Sequence, residues 1–275
     1  LYREALATRQ EQLGGDHPDV ANSLTNLAVL LHARGDYAQA EPLLREATAI
    51  WRTVLGDEHP HVGVSLSNVG SLVNAQGEYA EAEQLHREAL EIAQIGLGEV
   101  HPEIARILNN LASTLENQGK YEEAEPLFRR ALEINREALG DDHAETAASM
   151  NNLAHLLQTM GDFDEAEPLY VEALEVRTAT LGGNHLEVAR SLSNLASLHE
   201  ARGDYEGALP LYERALEIRR DQLGEASAAV AHSLSSVGYI RYVTGDAEAA
   251  EPLLEAAMEA HDAALGRAGE GLKQA

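Results

Sequence analysis

His101-Pro102, Asn109-Asn110-Leu111-Ala112, Gly119-Lys120-Tyr121, Ala124-Glu125-Pro126-Leu127, Ala131-Leu132-Glu133-Ile134 and Leu139-Gly140 make up one cycle of a pattern that returns every 42 residues. Its closing pair alone recurs at Leu13-Gly14, Leu55-Gly56, Leu97-Gly98, Leu181-Gly182, Leu223-Gly224 and Leu265-Gly266. Self-similarity at a fixed period of this size signals stacked repeats, each burying its apolar face against the next, rather than one globular core. The chain therefore reads as a lead-in (1–13), six units (14–55, 56–97, 98–139, 140–181, 182–223, 224–265) and a loose Gly-rich tail (266–275).

The local physics of a unit is legible in the first one. Pro18 suits the opening position of a helix, where its missing N–H costs nothing. Val20, Leu24, Leu27, Ala28 and Leu31 then share one helical face. Gly35 is placed to end that helix in the left-handed conformation. Asp36, with Gln39 three residues on, is expected to cap a second helix as a capping box. That helix presents Tyr37, Ala40, Leu43, Ala47 and Ile50 inward. Pro42, repeated at Pro126, Pro168, Pro210 and Pro252, removes one helical hydrogen bond and is expected to bend the helix. Each unit is thus an antiparallel helix pair, and residues 1–13 match the second helix of such a pair. Opening at Leu1 within a repeat, the sequence reads as a piece of something longer.

Composition narrows the partners. Acidic residues outnumber basic ones 46 to 20, a net charge of −26. Such a field repels phosphate backbones and anionic lipid, which argues against nucleic acid and membrane surfaces and for a neutral or basic protein partner. There are no cysteines, so disulfides and thiolate chemistry are excluded. No apolar run reaches membrane-spanning length and no signal peptide opens the chain, which points to a cytoplasmic location. Abundant alanine with only two lysines, Lys120 and Lys273, fits the codon bias of a high-GC bacterial genome.

The spacing of Leu111-Ala112, Gly119-Lys120-Tyr121, Ala124, Phe128 and Ala131 resembles the tetratricopeptide repeat (TPR). Ordinary repeats of that family run to about 34 residues. The 42-residue form, with Leu-Gly-x-x-His-Pro and Asn-Asn-Leu-Ala, resembles the kinesin-light-chain type. The resemblance implies an all-α fold, a right-handed α-solenoid of stacked antiparallel helix pairs, with the first helix of each pair lining a concave groove. The last unit departs from the pattern: Ser227, Ser236 and Ala247 stand for His, Asn and Tyr, as befits a terminal repeat.

Carried over by position, the groove contains Asn22, Asn26, Val29 and Ala33 and their equivalents. Its most persistent column is Asn26, Asn68, Asn110, Asn152 and Asn194. Asparagine offers both donor and acceptor, so such a ladder suits the backbone of an extended peptide; the alternative is that each Asn bonds a neighbouring helix and fixes repeat packing. Arg106, Arg190, Ser71, Ser113, Ser197, His155, Glu116 and Glu200 surround it. The groove columns hold no lysine, so a clamp for a terminal carboxylate is not assembled.

Catalysis and cofactors find little support. His17, His59, His101, His143 and His185 form a column, but equivalent positions in stacked repeats lie on the order of 10 Å apart, too far to share a zinc ion. A helix-start role is expected for them and no metal. Gly96-Leu97-Gly98 lacks the third glycine of a dinucleotide fingerprint, and no phosphate loop or nucleophile elbow occurs. Glu41, Glu83, Glu125, Glu167 and Glu251 are expected on the solvated face of second helices. The expected function is a protein-interaction scaffold without enzymatic activity or cofactor, a module of a larger regulatory or signalling protein. The alternative is a structural solenoid that self-associates through its ends into a homo-oligomer.

Overall fold

The computed structural model describes residues 2–273, and among these all regular structure is helical. The chain opens with α1 (Tyr2–Leu13). First helices of the pairs are α2 (Pro18–Ala33), α4 (Pro60–Ala75), α6 (Pro102–Asn117), α8 (Ala144–Met160), α10 (Leu186–Ala201) and α12 (Ala228–Val243). Second helices are α3 (Tyr37–Leu55), α5 (Tyr79–Leu97), α7 (Tyr121–Leu139), α9 (Phe163–Leu181), α11 (Tyr205–Leu223) and α13 (Ala247–Lys273). Two compact units result, Leu1–Gly140 and Asp141–Ala275. Within each, every helix packs on the next, and successive first helices also touch (α4 on α6, α8 on α10). This is an all-α solenoid arrangement. No helix of the described residues is long and apolar enough to cross a membrane.

The reversal inside each pair is a Schellman turn. Gly35 takes φ 78°; its N–H donates to the His32 carbonyl at 2.9 Å, and the Asp36 N–H donates to the Leu31 carbonyl at 2.9 Å. The same two bonds close the turn at Gly119 and Lys120. Asp36 does not form the expected capping box: its side chain makes no cap hydrogen bond, with ψ at 55°. The Gln39 N–H that it would have received already donates to the Asp36 backbone carbonyl at 3.1 Å. Asp204 does cap, accepting from the Gly207 N–H at 3.0 Å.

The cap at the first helices comes from histidine. His101 Nδ1 accepts the Glu103 N–H at 3.1 Å, and His17, His59, His143 and His185 repeat the bond. Ser227 performs it with its hydroxyl oxygen at 3.3 Å. The column is therefore a set of N-caps, each satisfying one orphan helix donor.

Small residues set the close packing of each pair. Ala28, Ala112, Ala154 and Ala196 are fully buried, as are Ala40, Ala82, Ala124, Ala166 and Ala208. Around them in the first unit, one apolar cluster runs from Val20 through Ile50, Leu66 and Ile104 to Ile134. Leu44 and Trp51 take interior places, whereas Tyr37 and Leu43 are only half-buried. The helices continue unbroken through Pro42, Pro126, Pro168 and Pro210. Each ring is exposed, on the side where water can reach the carbonyl left without a donor.

Two expectations need correction. The Gly-rich segment after Leu265 is not loose: α13 carries through Leu265-Gly266 to Lys273, and residues 274 and 275 lie outside the described residues. Leu55-Gly56 is followed by the helix start His59-Pro60, but no such signal follows Gly266 to compete with continued helix. The second-helix glutamates are not simply solvated. Glu83 accepts from Lys120 Nζ at 2.8 Å, Gln118 Nε2 at 2.9 Å and Arg87. Glu41 likewise joins Arg45 and Gln76, and Glu167 joins Arg202. These carboxylates latch one repeat to the turn of the next. Lys120 foremost holds the Glu83 carboxyl down to about 2.

Candidate functional site

The groove-lining face of the first helices was the expected site. On α2, Asn22, Asn26, Val29 and Ala33 are all exposed along one stripe, consistent with a 3.6-residue period. The equivalents deeper in the first unit are less open. Asn68 on α4 and Asn110, Arg106 and Ser113 on α6 are half-buried.

The first unit brings several of these residues together. Asn110 Nδ2 donates to Ser67 Oγ at 3.1 Å, reaching from α6 to α4. Arg106 Nη1 donates to Asn68 Oδ1 at 3.4 Å, while its Nη2 pairs with Glu103 at 2.8 Å. Beside Asn68 a cleft of about 110 Å³ opens between α2 and α4, walled by Ala28, Val29, Leu44 and Leu72 with His32 and Ser71 at its polar edge.

In the second unit, Asn194 on α10 is half-buried and donates through Nδ2 to Asn151 Oδ1 on α8 at 2.8 Å. Asn152 is half-buried on α8, and His155 is exposed one turn further on. Arg190 is exposed and held by Glu187. Gln158 on α8 reaches Ser197 on α10 at 3.2 Å and receives the Tyr170 hydroxyl at 3.0 Å.

Of the two roles weighed from the sequence, packing is the one seen at Asn110 and Asn194, where the amide NH₂ bonds the preceding first helix. The partner lies 43 residues back in each case.

Two features were missed by sequence reasoning. Tyr239, Tyr242 and Val243 expose apolar surface on α12, with Tyr242 at 63%; the Tyr242 column carries the polar His32, Asn74, Glu116, Gln158 and Glu200 in earlier repeats. His86 is wholly buried on α5, in a column otherwise occupied by Leu44, Phe128, Tyr170, Tyr212 and Leu254. Aligning the column would have flagged both. Burial pushes the His86 imidazole down to about 4, with the Arg106 charge adding to the effect.

Among the described residues, no group of three or more histidine or carboxylate side chains is arranged to hold a metal ion. The arrangement offers hydrogen-bond donors and acceptors on a helical face.

Family models for the tetratricopeptide repeat match residues 1–53, 26–95, 103–179 and 148–221, and a second tetratricopeptide model matches residues 189–272. No curated relative matches the sequence. Among solved structures, BtubC (BKLC) from P. vanneervenii is similar at a TM-score of 0.69 and 26% identity, covering 85% of this chain and 91% of that one. A Podosopora anserina protein described as a kinesin light chain with nearly identical TPR-like repeats is similar at a TM-score of 0.65 and 24% identity, covering 74% and 96%. The apo form of RapI shares the fold at a TM-score of 0.62 and 15% identity, over 88% and 98%. The period, the paired helices and these matches agree: the chain belongs to the tetratricopeptide-repeat family, and its structural neighbours include kinesin-light-chain-like members.

Proposed function

We propose that the first-helix face binds an extended peptide or protein segment, with Asn26, Asn68, Asn110, Asn152 and Asn194 meeting its backbone. Tetratricopeptide-repeat proteins generally mediate protein–protein interactions and are generally scaffolds rather than enzymes. The observation that carries the finer reading is the half-used amide: Asn110 and Asn194 each commit the NH₂ end to packing, and an amide has a second hydrogen-bonding end.

Arg106, Arg190, Ser113 and His155 stand along the same columns and supply side-chain selectivity. The small apolar cleft beside Asn68 takes a compact apolar side chain. With a net charge of −26, the chain favours a partner that is neutral to basic overall. The role is that of an interaction module in a larger regulatory or signalling protein.

Affinity capture tests this, with the parent chain and an Asn110→Ala/Asn152→Ala variant as baits and mass spectrometry as the readout. A partner held by the parent and lost by the helical double variant supports the face. Equal capture by both baits refutes it.

One observation favours a second reading, self-association. Between α12 and α13 lies a cleft of about 600 Å³ walled by Ala228, Ala231, Leu254, Ala257 and Met258, and Met258 is 71% exposed. A mass that rises with concentration, and that falls in Met258→Glu, would support it.

A further inference from the structure

We infer that the α10–α12 stretch of the face holds an arginine side chain of the bound segment, between the Glu200 carboxylate and the Tyr239 ring; this rests on the asparagine face being the binding face.

A repeated register places the two groups. Gln158 on α8 meets Ser197 on α10, 39 residues on, and Asn74 on α4 meets Asn117 on α6, 43 residues on. In the first unit His32, in the same column as Asn74 and Gln158, lines the cleft that Asn68 and Ser71 wall from the next first helix. The column therefore looks across the furrow between successive first helices. Its next member is Glu200 on α10, and the positions 39 and 43 residues further on are Tyr239 and Val243 on α12. Tyr239 is 46% exposed, and Val243 is exposed as well. The α12 wall of this furrow thus offers an open aromatic ring where earlier repeats offer Ser71, Ser113 and Ser197.

Charge decides what enters. Glu200 is half-buried and accepts the Tyr212 hydroxyl at 2.7 Å. Gln158 accepts the Tyr170 hydroxyl in the same way, so the packing needs an oxygen at this position and not a charge. Burial, and after it the Glu200 carboxylate, raises the Tyr212 phenol above its usual range, which keeps it a donor. That bond uses Oε2 and leaves Oε1. Among the described residues no basic side chain pairs with Glu200. Arg190 is held by Glu187, Arg202 by Asp164 and Glu167, and Arg241 by Glu213 and Asp246; His199 faces Asp204. Glu200 is an anion without a counter-ion, in a chain whose net charge of −26 already favours a basic ligand.

Arginine fits this pair of walls. Its planar guanidinium stacks on a tyrosine ring while its edge N–H groups donate to a carboxylate. A lysine ammonium is a strongly hydrated point charge and gains less from the ring. An apolar side chain would strip water from Glu200 and give it no partner.

The test uses the full chain and two probes: a blocked glycine–serine peptide with one central arginine, and the same peptide with citrulline, its neutral planar isostere. NMR titration follows the Tyr239 ring and the side-chain amides of Asn152 and Asn194. The arginine peptide should shift all three and bind about tenfold more tightly than the citrulline peptide. Glu200→Gln and Tyr239→Ser install the residues that the array already carries at Gln158 and Ser197. Each should keep the helical circular dichroism and lose most of the arginine preference. Equal binding of the two peptides, with the asparagine amides still shifting, would overturn the arginine site and leave the binding face intact. An arginine preference that survives Glu200→Gln would overturn the site too. No shift at any of the three residues with either peptide would overturn both the site and the face.

Discussion

Arg177 on α9 is 3% exposed and donates through Nη1 to Ser191 Oγ on α10 at 2.6 Å. Arg9 reaches Ser23 and Arg219 reaches Ser233 in the same way, each 14 residues on. The buried guanidinium keeps one distant carboxylate, Glu187 at 3.9 Å. Removing the serine should hurt more than removing the charge, since a buried charge left short of partners is costly and an apolar replacement is not. Ser191→Ala should lower unfolding free energy by about 1–3 kcal/mol. Arg177→Met should lie within about 1 kcal/mol of the parent. Urea unfolding of both variants checks the order.

His86 makes stability depend on pH. Its folded value near 4 lies below the ordinary 6.5, so the unfolded chain binds more protons between these values. The contribution is therefore complete above pH 6.5 and is lost as pH falls towards 4. At pH 5 the loss should be about 2 kcal/mol. His86→Leu, which places here the residue found at Leu44, should remove that part of the pH dependence. Unfolding midpoints at pH 7 and pH 5 for both proteins measure it.

Glu83 acts lower on the pH scale. Its folded value is about 2 against an ordinary 4.5, so its stabilisation is present above 4.5 and is lost as pH falls through 2. Its side chain is 17% exposed and holds Lys120 and Gln118 of the next repeat. Glu83→Ala should cost about 1–2 kcal/mol at pH 7, less at high salt. Denaturant titrations at low and high salt, and at pH 7 and pH 2, should show the deficit shrinking in both series.

His101 is a helix cap, and the repeat array already contains its replacement. His101→Ala should destabilise by about 1 kcal/mol, whereas His101→Ser should restore most of that, as Ser227 accepts the equivalent bond. Thermal unfolding of the two variants gives the comparison.

What could be read early was what repeats within one unit. The start at Pro18, the turn at Gly35 and the buried stripe from Val20 to Leu31 depend on neighbours three or four residues away. Their signals are local, and six copies reinforce them. The candidate face was legible for the same reason, since Asn22, Asn26, Val29 and Ala33 share a helical stripe wherever the helix lies. Asp36 was misread because a backbone carbonyl, invisible as a residue type, had already taken the donor it would have capped.

The sequence by itself determined the helix pairs, their period and the inward columns of the first helices, because those follow from backbone propensity and from burial at 3.6-residue spacing; on α3 it missed Leu44 and Trp51. Only the tertiary structure decided what the polar columns do. Glu83 finds Lys120, Asn110 finds Ser67 and Arg177 finds Ser191 across helix boundaries. Hydrogen bonds act over about 3 Å, and only the stacked repeats bring residues so far apart in the chain within that range.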